Sequence, residues 1–292
     1  PLVKIIAPIM EAQLIETALL NIINHQSLIA TKAARVVYAA QGDGVMEFGL
    51  RRAQGPDAGI YGARAAMIAG CIGTSNVLCG KMFDVPVMGT HAHSWIMSFP
   101  DELTAFRTYA KLYPSACILL VDTYDTLNSG IPNAIKVFKE MREAGIPLTF
   151  YGIRLDSGDL AYLSKKAKKM LDAAGFPDAV ISASNDLDET LISSLKLQGA
   201  AINSWGVGTN LITSKDCPSF GGVYKLAAIQ DKATGTFIPK IKLSENAEKI
   251  TNPGNKTIRR IYDKENGKII ADLICLVDEE YDTDQPLLLF DP

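Results

Sequence analysis

Ala116-Cys117-Ile118-Leu119-Leu120-Val121-Asp122-Thr123-Tyr124-Asp125 sets a short apolar run against a polar end that holds two carboxylates. Such a run reads as a buried strand that delivers acidic side chains at its carboxyl end. Four more short runs resemble it: Val85–Met88, Leu148–Leu155, Ala179–Ser182 and Ala201–Val207. Successive starts lie about 31, 32, 31 and 22 residues apart, close to the length of one βα unit. Amphipathic segments separate them, among them Asn133–Ala144 closed by Gly145 and Asp159–Ala174 closed by Gly175. Regular alternation of this kind predicts parallel βαβ units, hence a (β/α) barrel or a doubly wound sheet. Polar residues follow nearly every run, and only a barrel gathers all its βα loops on one face. The expectation is therefore an α/β chain built on a (β/α) barrel.

Around this core the texture changes. Ile9–Gln41 contains no Gly or Pro and carries Ala12, Ile15, Ala18, Leu19, Ile22 and Ile23 at helical spacing. That predicts one or two packed helices. From Phe237 the strand-like runs Phe237–Leu243 and Ile269–Val277 flank the turn signatures Asn252-Pro253-Gly254-Asn255 and Glu265-Asn266-Gly267. The predicted division is a barrel over 9–235, with 1–8 and 236–292 contributing to a smaller β-rich domain. Pro1-Leu2-Val3-Lys4 begins like a strand entered midway, which suggests a fragment of a longer chain.

The 292 residues are 48% hydrophobic and 21% charged, with net charge -3. A charge so near zero offers no global field for nucleic acid or an anionic membrane, so anionic ligands must meet local arginines and lysines. The five cysteines are scattered and odd in number, as expected of reduced thiols in a cytoplasmic protein. The first residues carry no basic stretch followed by an apolar one, and no apolar run approaches transmembrane length, so a cytoplasmic protein is the default expectation.

The strand ends carry the chemistry. Gly89-Thr90-His91-Ala92-His93-Ser94 holds two of the chain's three histidines, and an imidazole at a strand end suits proton or group transfer. Glu47-Phe48-Gly49-Leu50-Arg51-Arg52 offers two guanidinium forks for carboxylate or phosphate. Asp122 and Asp125 can hold a ribose diol, orient an imidazole, bind Mg²⁺ or cap the next helix. Alternation puts Arg154 and Asp156 on one side of their strand, as ligand groups or as an ion pair. Asp159 can serve as an N-cap. Gly206-Val207-Gly208-Thr209 and Gly221-Gly222 allow close backbone approach to a phosphate. Together these groups suit a substrate with two phosphate clusters joined by a sugar.

Taken in order, Glu47–Asp57, Gly73-Thr74-Ser75-Asn76, Gly89–Ser94, Asp122–Asp125, Arg154–Asp159, Gly206–Thr209 and Gly221–Leu226 closely resemble the nicotinate phosphoribosyltransferase family. The resemblance implies an irregular (β/α) barrel with a smaller β-rich domain. It implies joining of nicotinate and phosphoribosyl pyrophosphate to nicotinate mononucleotide and pyrophosphate in NAD biosynthesis, with Mg²⁺ and ATP hydrolysis through a phosphohistidine. By that matching His93 is the phosphorylated residue and His91 the lesser candidate, because many members carry another residue there. Asp122 orients His93, Asp156 holds the ribose hydroxyls and Phe48 stacks on the pyridine ring. Arg51, Arg52 and Arg154 bind phosphoribosyl pyrophosphate or the nicotinate carboxylate, with Asp125 among the substrate-binding residues. Gly206, Gly208, Thr209, Gly221 and Gly222 cradle the 5′-phosphate. Ser75 stands where nicotinamide-using relatives carry Asp, and an acceptor carboxylate there would repel a carboxylate ligand. Further expectations are a homodimer at full length, with the family's N- and C-terminal parts lying beyond this chain. The alternatives are a nicotinamide-type enzyme or a catalytically silent phosphoribosyl-ligand-binding fragment. A Mg²⁺-dependent barrel lyase or aldolase ranks last, since the strand ends are richer in Arg than that chemistry needs.

Overall fold

Every residue of the strand Cys117–Leu120 is buried in the computed structural model, which describes residues 2–246 and 249–281. It belongs to one parallel sheet of β1 (Gly44–Glu47), β2 (Gly73–Thr74), β3 (Cys117–Leu120), β4 (Tyr151–Leu155), β5 (Val180–Ala183) and β6 (Ser204–Val207). The strand order is β2-β1-β6-β5-β4-β3. This is a ring with one opening: β1 pairs with both β2 and β6, while β2 and β3 do not pair.

The barrel expected from the sequence is thus a curled parallel sheet, open on one side. The predicted strand Val85–Met88 explains the opening. Thr74 N–H donates to the Pro86 carbonyl and Met88 N–H to the Thr74 carbonyl, so the run adds one bridge beside β2, at Val87. Pro86 has no N–H for a ladder, and the run goes no further as a strand. On the far side of the opening, Cys117 and Val121 donate to the Phe150 and Arg154 carbonyls of the β4 segment. Alternation then turns the Leu120 N–H away from β4, toward the gap.

Helices accompany the strands. They are α1 (Ile9–Leu14), α2 (Glu16–Ala39), α3 (Pro56–Ile68), α4 (Val77–Phe83), α5 (His93–Met97), α6 (Glu102–Leu112), α7 (Ile131–Glu143), α8 (Leu160–Ala173), α9 (Glu189–Leu197) and α10 (Thr209–Ile212). The helical reading of 9–41 is realised as α1 and α2. In α7, Ile131, Ala134, Val137, Phe138 and Met141 are buried at three- and four-residue spacing, the stripe a sheet-covering helix needs. Asp101, Asp159 and Asp188 each accept a hydrogen bond from the N–H three residues on, fixing the starts of α6, α8 and α9. Trp205, Phe106, Phe138, Phe176, Leu119 and Ile153 form the heart of the apolar core.

By internal contacts, residues 21–220 form one unit and the described residues before 21 and after 220 form another. The sequence reading placed these limits at 9–235 instead. In the smaller unit β7 (Ala228–Gln230) pairs antiparallel with β8 (Phe237–Pro239), and β9 (Lys256–Tyr262) with β10 (Ile269–Leu276). The pairing of β7 with β8 draws residues before 235 into this unit. Both predicted turns flank β9, a strand whose exposed charges hid it from the periodicity. Among the described residues, no helix is long and apolar enough to cross a membrane.

Candidate active site

In the larger unit, β1 to β6 place their carboxyl ends along one rim. Asp122 follows β3, and its side chain is only 2% exposed. One carboxylate oxygen, Oδ2, accepts hydrogen bonds from the Asp156 N–H at 2.8 Å and the Ser157 hydroxyl at 2.6 Å. The other, Oδ1, is buried, has no hydrogen-bond partner among the described residues, and lies 4.0 Å from His93 Nε2. Asp156 Oδ2 lies 3.6 Å from the same nitrogen. On the opposite side of the ring, His93 Nδ1 is 3.0 Å from the Thr123 hydroxyl. Nε2 thus faces two carboxylates, and Nδ1 faces a hydroxyl. The His93 side chain is 39% exposed, so a ligand can reach it.

Arg154 anchors the middle of the rim. Its guanidinium donates to the Ser184 hydroxyl at 2.9 Å, the Thr90 hydroxyl at 2.6 Å, the His91 carbonyl at 3.4 Å and Asp156 at 3.2 Å. Ser184 in turn donates to Asp156 Oδ1. Burial opposes ionisation of Asp156, but the Ser184 hydroxyl, Arg154 and then His93 outweigh it. Together they hold the carboxyl below the ordinary aspartate range. Arg154 and Asp156 therefore share one side of the strand end, as alternation predicts, and they are an ion pair.

Glu47 ends β1 fully buried, accepting from Thr74 Oγ1 at 2.6 Å and from the Gly49 N–H. Burial raises its pKa, against the pull of those two donors. Its backbone carbonyl accepts the Ser75 N–H at 3.0 Å, which seats the exposed Ser75 beside the β1 end. A Cβ on Gly206 would come within 2.5 Å of the Phe48 ring. The absent side chain at Gly206 thus makes room for Phe48. Gly208 likewise packs against the Phe48 backbone, where a Cβ would lie 3.2 Å from its carbonyl oxygen.

Asp125 spends its carboxylate as a cap, accepting from the Leu127 and Asn128 N–H groups and the Asn128 side chain. The Asn128 side chain is the largest influence holding Asp125 below its ordinary pKa. Arg51 and Arg52 sit exposed on the 3-10 turn Leu50–Arg52, and among the described residues neither guanidinium has a partner. Thr209 opens α10. Gly221 and Gly222 belong to the smaller unit. His91 is 7% exposed and packs among Phe106 and Tyr109. Sequence reasoning passed over Thr90, Thr123, Ser184 and Glu47 as site groups. Glu47, Thr90 and Thr123 lie within motifs that carry the family resemblance, whereas Ser184 had no signal beyond a hydroxyl next to a strand end.

All five cysteines are free, and burial pushes the Cys71 and Cys117 thiols up to about 12, as expected of inert core thiols. Among the described residues no trio of His, Cys, Asp or Glu is arranged to hold a metal. A groove of about 820 Å³ on the outside of the sheet is lined by Arg35, Tyr38, Glu189 and Leu197, and no strand-end residue lines it.

The sequence model of the nicotinate phosphoribosyltransferase (NAPRTase) family matches residues 44–266. Nicotinate phosphoribosyltransferase of Bacillus subtilis (strain 168) is 54% identical over 292 residues, covering 100% of this chain and 58% of that protein. The protein of that name from Homo sapiens is 33% identical over 333 residues, covering 96% and 60%. The crystal structure of human nicotinic acid phosphoribosyltransferase aligns with a TM-score of 0.77 at 30% identity, over 94% of this chain and 61% of that one. The chain spans about three-fifths of the length of the relatives it matches.

Proposed function

Because the chain belongs to the nicotinate phosphoribosyltransferase family, we propose that it carries the phosphoribosyl-transfer centre of that activity, with His93 as an ATP-dependent phosphoryl acceptor. The observation that carries this reading is His93 between Thr123 on one ring nitrogen and Asp156 and Asp122 on the other. The terminal phosphoryl group of ATP passes to His93 Nδ1, the bond to ADP breaks, and water later releases phosphate from the ring. In the transfer itself the pyridine nitrogen of nicotinate attacks the ribosyl C1′. The bond from C1′ to pyrophosphate breaks, and its electron pair leaves on the pyrophosphate oxygen. Positive charge develops on the ribose at that moment, and fixed carboxylates nearby stabilise it without reorganising. Asp156, kept ionised by its neighbours, suits that task and the holding of ribose hydroxyls.

Arg51 and Arg52 are the free guanidinium groups suited to the pyrophosphate or the nicotinate carboxylate. Arg154 acts by aligning Asp156 and the Thr90–His91 segment. Asp122 Oδ1, buried and without a hydrogen-bond partner among the described residues, and the nearby Asp156 Oδ2 are the oxygens that would help hold a magnesium ion. When bound, that ion supplies neutralisation of the departing pyrophosphate charge.

Ser75, rather than an acid, beside β1 favours a carboxylate-bearing pyridine. The test is release of pyrophosphate from phosphoribosyl pyrophosphate by the full-length protein, with nicotinate or nicotinamide as acceptor. Nicotinate is expected to be preferred, and Ser75→Asp to weaken that preference roughly tenfold or more. Equal use of both pyridines, unchanged in Ser75→Asp, would contradict the assignment.

A further inference from the structure

The opening in the curled sheet is not empty of hydrogen bonding. Leu120 N–H, turned toward the gap by strand alternation, donates to His91 Nε2 at 3.3 Å. The imidazole stands where a neighbouring strand would offer a carbonyl. Its ring packs edge-on against Tyr109, with centroids 4.6 Å apart, and more loosely against Phe106 at 6.1 Å. The same residue's backbone carbonyl accepts from Arg154, as does the adjoining Thr90 hydroxyl. Two residues further on, His93 begins α5.

We propose that His91 is a positioning residue: its neutral imidazole fills the unpaired edge of β3 and thereby fixes the Thr90–His93 segment that aligns Arg154 and presents His93. The side chain and the backbone of one residue thus tie β3 and β4 to the loop that carries the reacting ring. An amide N–H that is buried without an acceptor is costly, so the Leu120 bond is a strong constraint on where that loop sits.

The surroundings require the ring to stay neutral. A neutral ring that accepts at Nε2 carries its proton on Nδ1, which is buried without a hydrogen-bond partner among the described residues. An imidazolium would point a second N–H at the Leu120 N–H. The ionisable groups around the ring cannot compensate. Arg154 on β4 and His93 on α5 disfavour a positive charge at His91. The Tyr109 phenol on α6 and the Cys117 thiol on β3 are both pushed up to about 12, so neither supplies a negative charge at neutral pH. Burial, the largest influence, lowers the pKa of His91 to about 4.

The proposal rests on the phosphoribosyltransferase reading only for its kinetic consequence. Two measurements on the full-length protein test the geometry without any assay of turnover. Nitrogen NMR of the His91 ring at neutral pH is expected to show the tautomer protonated on Nδ1; protonation on Nε2, or a doubly protonated ring, would overturn the proposal. Hydrogen exchange at the Leu120 amide is expected to be slow, to quicken about tenfold or more in His91→Leu, and to be restored by His91→Gln, whose side-chain oxygen can accept. Unchanged exchange in His91→Leu would overturn it as well, and if that variant fails to fold the ring measurement on the unsubstituted protein still decides.

The kinetic arm separates positioning from bulk stability. His91→Leu is expected to raise KM for phosphoribosyl pyrophosphate and lower kcat about tenfold to a hundredfold in combination, with His91→Gln much closer to the parent. Altered Leu120 exchange with wholly unchanged kinetics would reduce His91 to a structural residue and refute the positioning role. A protein with no transferase activity at all would refute the functional reading, while the ring and exchange measurements still decide whether His91 fills the gap.

Discussion

At the scale of single residues, two histidines one position apart have opposite surroundings. His93 is partly open and flanked by carboxylates, whereas His91 is sealed among aromatic rings. The difference has a measurable consequence for stability. An unfolded histidine binds its proton near 6.5, while folded His91 does so only at about 4. Between those values the unfolded chain binds more protons, so lowering the pH favours unfolding. The stability held at neutral pH therefore declines as pH falls from 6.5 towards 4, by at most about 3 kcal/mol from this one group. His25, whose pKa burial also lowers, acts in the same direction. Chemical denaturation across that pH range is expected to show this slope, and His91→Gln to flatten it. An identical slope in the variant would mean that His91 is not held neutral by the fold.

At the scale of elements, the turn after β3 decides where Asp122 sits. Asp125 caps a π-helical turn over Thr126–Gly130, and Gly130 presses against the strand end. A Cβ at Gly130 would lie 1.8 Å from the Val121 carbonyl oxygen, the residue just before Asp122. Gly130→Ala is thus expected to cost about 1–3 kcal/mol or more through overpacking, and to weaken the site by shifting Asp122. Gly221→Ala, with open space around the added atom, serves as the neutral control in thermal unfolding. Equal midpoints for the two variants would contradict the packing described.

The same elements show what the sequence could and could not reveal. The strands β3 to β6 were legible because buried apolar runs repeat at βα spacing. In contrast, β1 and β2 carry little apolar signal of their own: Gly44-Val45-Met46-Glu47 holds two large apolar residues, and Gly73-Thr74 is held by register with its neighbour. Asp122, Arg154 and Asp156 stood out as charges at strand ends. Thr90, Thr123 and Ser184 did not, since hydroxyls are common in loops and only the register of adjacent strands shows what each one touches. Asp125 was legible as either ligand group or cap, and the structure uses it as a cap. The role of His91 could not be read at all, because it depends on a gap between β2 and β3 that no periodicity encodes.

Across the whole molecule the site is built by convergence. Segments far apart in sequence, from Glu47 to Ser184, meet at one rim because parallel strands with helical returns all end on the same side. The arrangement surrounds His93 with a hydroxyl, two carboxylates and, through Asp156, a guanidinium. In the proposed reaction His93 takes a phosphoryl group from ATP at this rim. The direct measurement is incubation of the full-length protein with ATP labelled on the terminal phosphate, followed by mapping of the acid-labile label. Label is expected on His93, and its loss in His93→Ala is expected together with loss of ATP stimulation of nicotinate turnover. Label on another residue, or full ATP coupling retained in His93→Ala, would contradict it.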